Sequence, residues 1–297
     1  MNLSTKISLN GLSRFVFLNR LLACIATLWM AVFCMTGLAL ADLAQQEQEQ
    51  VSPEQVSPEQ PLGEQAEPGP QDIIYNMVLI PAGKFTMGCN QFGIQHGGPE
   101  HDVVLDAFFI DKYEVTNKLY EKVVPEHRLR RSPFSSCDDC PVSKVSWYEA
   151  ADYCYLIGKT LPSEAQWEKA AGARNGCEFP WGPQFDVTKG QARGGLKLRD
   201  ETASVGSYPP NKYGLYDMAG NMWEWVSDWF TINDRFPEIM YNPKGPRRGQ
   251  MKVRRGGAWS DSIHAMTSGW RDRSHPFSRG FNDIGFRCAL NIIHKKR

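Results

Sequence analysis

The sequence predicts one irregular α+β domain that is poor in regular secondary structure. Beyond residue 173, short strand-like pieces alternate with turns rich in Gly, Pro and Asn, and helical periodicity is scarce. The chain of 297 residues contains 26 Gly and 19 Pro, which is typical of a loop-rich fold rather than a helical bundle. Because 42% of the residues are apolar and nine are Trp, the domain can still bury a substantial core.

The predicted elements begin with two strands and a short helix. Residues 77–88 have the alternation of a strand followed by a turn, and residues 103–115 form a second strand-like run. Thr116 is then placed to cap a short helix over 117–124, which Pro125 stops.

Two capping boxes predict the clearest helices. In each box a Ser accepts a hydrogen bond from the backbone three residues on, where a Glu or Gln reaches back. The box residues are Ser146 with Glu149 and Ser163 with Gln166. The helices, each ended by a glycine, are expected over 147–157 and 165–171.

Two segments of different composition precede this domain, which we place at 73–297. Residues 1–41 carry three bases and no acid, with an uncharged apolar stretch that ends in Ala39-Leu40-Ala41. A cleaved signal peptide is the favoured interpretation, and an uncleaved signal anchor is the alternative because the stretch is long enough to span a bilayer. Residues 42–72, rich in Gln, Glu and Pro with eight acids and no base, predict a disordered linker.

Either interpretation of the N-terminal segment sends the domain across a membrane. We therefore expect a periplasmic or secreted protein, or one held at the inner membrane by its N-terminal segment. The net charge of zero argues against nucleic acid as a partner. Six bases without an acid lie over 244–255; a solvated loop is the favoured interpretation, and a surface for an anionic partner is the alternative.

The cysteines indicate disulfides rather than a metal site. Six Cys lie beyond residue 41, an even number in an exported chain. Cys137 and Cys140 form a single CxxC with no second pair at zinc-finger spacing, so a local disulfide is favoured over zinc. His96 and His101 match no common ligand motif and are interpreted as turn residues. P-loop, GxSxG, HExxH and Rossmann signatures do not occur.

Several separate stretches together resemble one family, the formylglycine-generating enzyme or sulfatase-modifying factor superfamily. They follow the family's order and span about 77–290, so the set is far more specific than any single stretch. The stretches are residues 77–88, 99–101, 109–117, 141–147, 158–171, 180–182, 211–225, 255–257 and 285–288. The resemblance implies an irregular fold related to C-type lectins, in agreement with the α+β prediction.

The resemblance also implies a disulfide between Cys154 and Cys288. Such a bridge would join the first capped helix to the final Gly-Phe-Arg-Cys motif and limit the freedom of the unfolded chain. Two buried free thiols are the alternative, which export disfavours. Cys89 and Cys177 then remain as a pair by elimination.

A calcium site is a further implication of the resemblance. Asp217 and Glu224 would donate carboxylate oxygens, and Gly220 and Met222 backbone carbonyls, which are the hard ligands that Ca²⁺ prefers. The alternative is that Asp217 caps a turn while Glu224 pairs with an Arg such as Arg255. The two interpretations are compatible.

The chain departs from the family at the catalytic positions. Family members that generate formylglycine hold copper through two Cys placed after the RGG motif. Ungapped alignment puts Asp261 and Met266 there, and a one-residue shift gives Ser262 and Thr267. Since residues 178–287 contain no Cys, copper binding and oxidation of Cys to formylglycine are not expected.

Two functions remain open, and the residues do not decide whether the protein is an enzyme. The first is a divergent modifying enzyme that matures an exported protein or peptide, with iron as an open cofactor. One His and one carboxylate fall short of the usual two-His-one-carboxylate triad, although His275 could complete it. The catalytic candidates are Asp261, Ser262, His264, Met266 and Arg271.

The second function is a non-catalytic, lectin-like module that binds a ligand or a protein. In this hypothesis Trp259 and Trp270 supply stacking surfaces, with His264 and Arg271 as hydrogen-bonding groups. An exported domain on a long linker suits such a role.

Overall fold

A computed structural model of the chain describes residues 76–191, 201–232 and 237–292, which lie in one compact unit, Glu67–Arg297. The predicted signal or anchor, 1–41, and the predicted linker, 42–72, lie outside the described residues, so both stay predictions. Within the described ranges, no helix has the length and apolar character to cross a bilayer.

The described elements are short. The strands are β1 Met77–Ile80, β2 Gly83–Met87, β3 His101–Leu105, β4 Phe108–Asp111, β5 Trp223–Trp229, β6 Ile239–Tyr241, β7 Lys252–Arg255, β8 Arg271–Ser274, β9 Ile284–Gly285 and β10 Ala289–Asn291. The α-helices are α1 Gly93–His96, α2 Asn117–Tyr120, α3 Trp147–Leu156 and α4 Glu164–Ala171. Three 3-10 helices span Asn90–Phe92, Pro125–Arg130 and Ile263–Met266.

These strands form three small sheets. Their orders are β1-β4-β10, β2-β3-β6 and β8-β7-β5-β9. Antiparallel pairing dominates, with parallel exceptions at β3–β6 and β5–β9. This mixture of short strands and few helices confirms the predicted irregular α+β fold.

Both predicted strands are divided in two. The run 77–88 gives β1 and β2 in different sheets, because Pro81 lacks the N–H that a continuing ladder needs. The run 103–115 divides into β3 and β4 around residues 106–107. The sequence marks the joints only by Pro81-Ala82-Gly83 and by Asp106-Ala107, the latter between apolar residues on both sides.

The helix predictions hold best where capping is strongest. Both capping boxes are complete in the structure, and α3 and α4 begin directly after Ser146 and Ser163. Thr116 also caps as predicted, accepting a hydrogen bond from the backbone of Leu119. The helix that it opens, α2, ends at Tyr120 rather than at residue 124, and Pro125 starts a 3-10 helix.

The core has two large parts, which lie against different helices, and a smaller third cluster around Phe179, Ala219 and Met266. The first, here called the α3 side, gathers aromatic side chains around α3, including Tyr153, Trp223, Trp225 and Phe286. The second, the α4 side, contains Trp167 of α4 with Val226 of β5 and Val253 of β7. Neighbouring residues of β5 thus enter different parts of the core, as expected for a strand buried on both faces.

Three disulfides complete the fold. The predicted bridges Cys154–Cys288 and Cys137–Cys140 are present, and Cys89 pairs with Cys177 as elimination suggested. Cys154–Cys288 joins α3 to the residue before β10 across 134 positions.

Candidate functional site

The loop that carries most of the predicted catalytic candidates begins where β7 ends. Arg255 is followed by Gly256 and Gly257, whose φ angles of 97° and 71° lie in the left-handed region that favours glycine. A Cβ on Gly257 would stand 2.9 Å from the carbonyl oxygen of Ala265. The glycine pair therefore lets the following loop fold back closely on itself.

Asp261, which aligns with the first of the family's two Cys, is held in this loop by hydrogen bonds. Its Oδ2 accepts hydrogen bonds from Trp223 Nε1 at 2.7 Å and from the backbone N–H of Ala258 at 3.2 Å. Burial raises the pKa of Asp261, and nearby Asp283 adds to this, whereas the Trp223 bond and Arg254 oppose it. The carboxylate therefore joins the loop to β5 through hydrogen bonds.

The other candidate residues after the RGG motif differ in their exposure to solvent. Met266 is fully buried against Phe179 and Ala219, so it is a core residue rather than an accessible ligand. Ser262 and His264 are exposed. Thr267, the alternative second position, is buried and donates its hydroxyl to the carbonyl of His264 at 2.8 Å.

Two further candidates have partners elsewhere. Arg271 of β8 makes a bidentate ion pair with Glu164 of α4, with N–O distances of 2.8 and 2.7 Å, so it lies on the α4 side. The ring of Trp270 stacks on His96 at a centroid distance of 4.5 Å. The structure therefore does not gather Arg271 with Asp261 in one catalytic cluster.

Among the described residues, Trp259 carries an unpartnered, buried polar atom beside this loop. Its ring is partly buried and stacks on Phe134 at 5.3 Å. Its Nε1 has no hydrogen-bond partner among the described residues, and Oδ1 of Asp283 has none either. Asp283 is linked to the same loop through Ser260, whose hydroxyl donates to Oδ2 at 3.2 Å. A buried donor and a buried acceptor are thus available near the loop.

His, Cys and carboxylate groups do not assemble at this loop. In the part of the chain that the structure describes, three such ligand atoms come within 4.8 Å of one another only at Cys89, Glu100 and Cys177. Both of those Cys are in a disulfide. His96 and His101, interpreted as turn residues, lie in α1 and at the start of β3.

The predicted calcium segment lies in a buried acidic cluster. Asp217 accepts a hydrogen bond from the backbone of Gly206 at 2.7 Å through Oδ2, while its Oδ1 is buried without a partner. Burial raises the pKa of Asp217 to about 6. Gly220 fits only as glycine, since a Cβ there would stand 2.1 Å from the carbonyl oxygen of Gln191.

Glu224, the other predicted carboxylate ligand, pairs with Arg287 rather than with Arg255. Arg287 binds both of its oxygens, at 2.8 and 2.7 Å, and Trp167 Nε1 donates to Oε2 at 2.8 Å. Arg255 instead pairs with Glu168 of α4. The expectation that Glu224 pairs with an Arg is therefore confirmed, but the partner is Arg287 and not Arg255, although Glu224 and Arg255 are register partners of β5 and β7. Their side chains find separate partners.

Sequence reasoning missed a third acid of this cluster, Glu114. It is 1% exposed; its Oε2 accepts from Asn221 Nδ2 at 2.6 Å, and its Oε1 has no partner among the described residues. Burial raises its pKa well above the usual range, and the charges of Asp217 and Glu224 add to this. Three buried carboxylates thus share one guanidinium.

This arrangement has the charge for a divalent cation but not a complete carboxylate ligand set, since among the described residues no three carboxylates of the cluster bring one oxygen each within 4.8 Å of one another. Two buried carboxylate oxygens, one on Asp217 and one on Glu114, lack donors, and the cluster holds more negative than positive charge. A hard cation with oxygen ligands would offset that excess. Glu224 is the weakest member of the predicted ligand set because Arg287 already engages both of its oxygens.

Comparison with known proteins settles the family. The chain matches the sulfatase-modifying factor enzyme 1-like domain over residues 63–292. It belongs to this family. Formylglycine-generating enzyme of Mus musculus is 32% identical over 292 residues, covering 76% of this chain and 78% of the mouse protein.

Other family relatives differ in size and name. Serine/threonine-protein kinase pkn1 of Chlamydia pneumoniae is 36% identical over 260 residues. The match covers 77% of this chain but only 40% of the pkn1 protein. Among solved structures, Treponema denticola variable protein 1 has a TM-score of 0.63 and 25% identity. It covers 72% of this chain and 94% of its own.

Proposed function

We propose that this sulfatase-modifying factor family member binds an exported protein or peptide at its RGG loop without oxidising it. The observation that carries the proposal is the state of the two catalytic positions. Asp261 is hydrogen-bonded to Trp223, and Met266 is packed in the core. Neither offers the accessible thiolate that copper chemistry needs.

The loop supports binding through several groups. The unpartnered Nε1 of Trp259 can donate to a ligand, and the exposed side chains of Ser262 and His264 stand at the same loop. Buried donors gain strongly from a partner because leaving them unpaired costs about 1–3 kcal/mol. The variable protein of Treponema denticola has the same fold.

The test combines oxidation and binding in one preparation. The full-length chain is given Cu(I) and a Cys-containing peptide, and oxygen uptake is followed with peptide mass. We expect neither uptake nor an aldehyde mass. Binding to a peptide library should persist, and Trp259→Ala should reduce it. Turnover by the unaltered chain would overturn the proposal.

Two double variants test which positions of this chain correspond to the family's copper-binding Cys pair. Asp261→Cys with Met266→Cys should restore Cu(I) binding if these are the family's thiolate positions, measured by competition with a chromogenic chelator. Ser262→Cys with Thr267→Cys is the control, since exposed Ser262 and buried Thr267 face apart. Stronger copper binding by the control would favour the shifted alignment.

A divergent maturation enzyme is the second candidate. Its support is the similarity to mouse formylglycine-generating enzyme, which extends over 78% of that protein. Metal analysis of the purified chain separates the two functions. Stoichiometric iron with peptide-dependent oxygen uptake would favour the enzyme, whereas calcium alone without uptake favours the binding module.

We further propose that the acidic cluster holds Ca²⁺ through Asp217 and Glu114 and that the domain works in the periplasm or outside the cell. Three disulfides support an oxidising compartment. Calcium at a hundred times its Kd should stabilise the fold by about 2.7 kcal/mol. Asp217→Asn should abolish the calcium-dependent rise in melting temperature. A rise that this variant retains would contradict the assignment.

A further inference from the structure

A cavity of about 370 Å³ lies on the α4 side, and its lining includes neither Asp261 nor Trp259. Met87, Met240 and Trp229 provide apolar walls, and Asp228 is among the polar groups that face it. This size and mixture are typical of a small-ligand site, which is mostly apolar with a few fixed polar groups.

Most charges that line the cavity are already matched. Glu164 binds Arg271 through two hydrogen bonds of 2.8 and 2.7 Å. Glu168 pairs with the fully buried Arg255. Two carboxylates thus face two guanidinium groups, and Asp228 is left over.

Asp228 is a buried carboxylate with one free oxygen. Only 4% of the residue is exposed, and its Oδ2 accepts from the N–H of Glu164 at 2.9 Å and from the hydroxyl of Ser227 at 2.8 Å. Its Oδ1 accepts no hydrogen bond from any described residue. Burial raises the pKa of Asp228 to about 6, and Glu164 adds to this, so the group is charged at neutral pH.

The remaining cationic groups do not reach this oxygen. Lys252 is held between the rings of Trp147 and Trp229, 3.6 and 3.9 Å from their centroids, and donates to the carbonyl of Ser227 at 2.8 Å. Lys244 is an exposed residue of the lining. Burial lowers the pKa of His101, which favours its neutral form.

We propose that this cavity binds one primary ammonium group carried on an apolar stem. The ammonium would donate a charge-assisted hydrogen bond to Oδ1 of Asp228, while Trp229 and the methionines contact the stem. A guanidinium is disfavoured because its planar fork needs two acceptors side by side, whereas a single oxygen is free. Lysine side chains and aliphatic amines share this chemistry.

The first experiment compares three probes of equal length on the full-length chain. Pentylammonium, pentan-1-ol and pentanoate are titrated at pH 7.5 while the indole N–H of Trp229 is followed by NMR, assigned with Trp229→Phe. We expect a saturable shift with pentylammonium, binding at least tenfold weaker with pentanol, and none with pentanoate. Equal binding of pentanol and pentylammonium would overturn the proposal.

The second experiment removes the charge and keeps the shape. Asp228→Asn can still accept from the N–H of Glu164, so the variant should fold, and it should bind pentylammonium at least tenfold more weakly. Lys244→Ala is the matched control and should bind at least as well as the unaltered chain. Loss of binding in the control would refute a cationic ligand.

The pH dependence gives an independent readout. Below pH 6, pentylammonium affinity should fall about tenfold per pH unit, because protonation of Asp228 removes the acceptor charge. The charged groups facing Asp228 are Glu164, Arg271 and Lys252. Burial lowers the pKa of Lys252 to about 8, so this residue stays cationic between pH 5 and 7. A constant affinity from pH 5 to 8 would contradict the site. Nα-acetyl-lysine amide against pentylammonium then distinguishes a peptide source from a free amine, with Nα-acetyl-norleucine amide as the control that lacks the ammonium.

Discussion

The two sides of the core are stabilised by different interactions. On the α3 side, aromatic rings pack together, with Tyr120, Tyr153 and Phe286 at centroid distances of 5.2 to 6.1 Å, and a disulfide closes the cluster. On the α4 side, buried ion pairs surround Trp167, among them Glu224 with Arg287. The same four-stranded sheet therefore separates a covalently closed aromatic core from an ionic one.

This difference teaches how each side should respond to change. When an aromatic ring or a disulfide is removed, the protein loses the stabilisation which that group contributed. A buried ion pair behaves asymmetrically, because removing one partner leaves a charge without compensation, while replacing both is often nearly neutral. The ionic side also leaves free acceptors, on Asp228 and Asp217, where ligands can bind.

The largest effect is expected from the disulfide on the α3 side. Cys154→Ala with Cys288→Ala should lower the free energy of unfolding by about 5 kcal/mol, because the bridge closes a loop of 134 positions. Cys137→Ala with Cys140→Ala removes a bridge between residues only three positions apart. This change should lower the free energy of unfolding by about 2 kcal/mol. Urea unfolding measures both, and equal losses would contradict the chain-entropy explanation.

On the ionic side, Arg287→Met should destabilise the protein by about 3–5 kcal/mol, since it strands the carboxylate of Glu224. Adding Glu224→Gln should recover part of that loss, because Asp217 and Glu114 also face the Arg287 guanidinium. If the double variant is no more stable than Arg287→Met alone, the pair is not the unit that stabilises this side. Thermal unfolding at fixed calcium distinguishes these outcomes.

A smaller and pH-dependent effect is expected at Asp228. Its folded pKa of about 6 lies above its ordinary value of 3.8, so its ionisation destabilises the fold as pH rises from 4 to 6. Without ligand, Asp228→Asn should therefore gain up to about 3 kcal/mol relative to the unaltered chain between pH 4 and pH 7. Unfolding curves at both pH values test this, and a constant difference would refute the raised pKa.

The smallest difference should lie between the two helix caps. Ser146→Ala and Ser163→Ala each remove a side chain that accepts a hydrogen bond from the helix backbone, and each should cost about 1 kcal/mol. Similar losses would confirm that the two sides differ in their packing and not in their helix termini. A loss several times larger at Ser163 would show that its cap also positions Glu164.

How far the sequence predicts this structure depends on the distance between interacting residues. The capping boxes were predictable because their partners lie three positions apart. The division of each long strand run depends on which sheet each half joins, and this pairing with distant strands has no local sign beyond Pro81 and Asp106-Ala107. The family resemblance supplied the disulfide between Cys154 and Cys288, which no local pattern contains.

The site was less predictable than the fold. The pairing of Glu224 with Arg287 joins residues 63 positions apart, and spacing gives no sign of it. Glu114 carries a weak signal, as an acid that follows an apolar strand, but its burial depends on Asn221 and Asp217 far along the chain. Asp261 lies in the loop after the RGG motif, but its hydrogen bond to Trp223, 38 positions away, has no sign in the local spacing.

The position of β10 has a consequence for biosynthesis. This strand pairs with β4, whose other neighbour is β1, so residues far apart in the order of translation complete one sheet. Cys288, directly before β10, must also reach Cys154 before that thiol reacts elsewhere. The domain should therefore remain open, and sensitive to proteases and oxidants, until residues 284–291 have been synthesised.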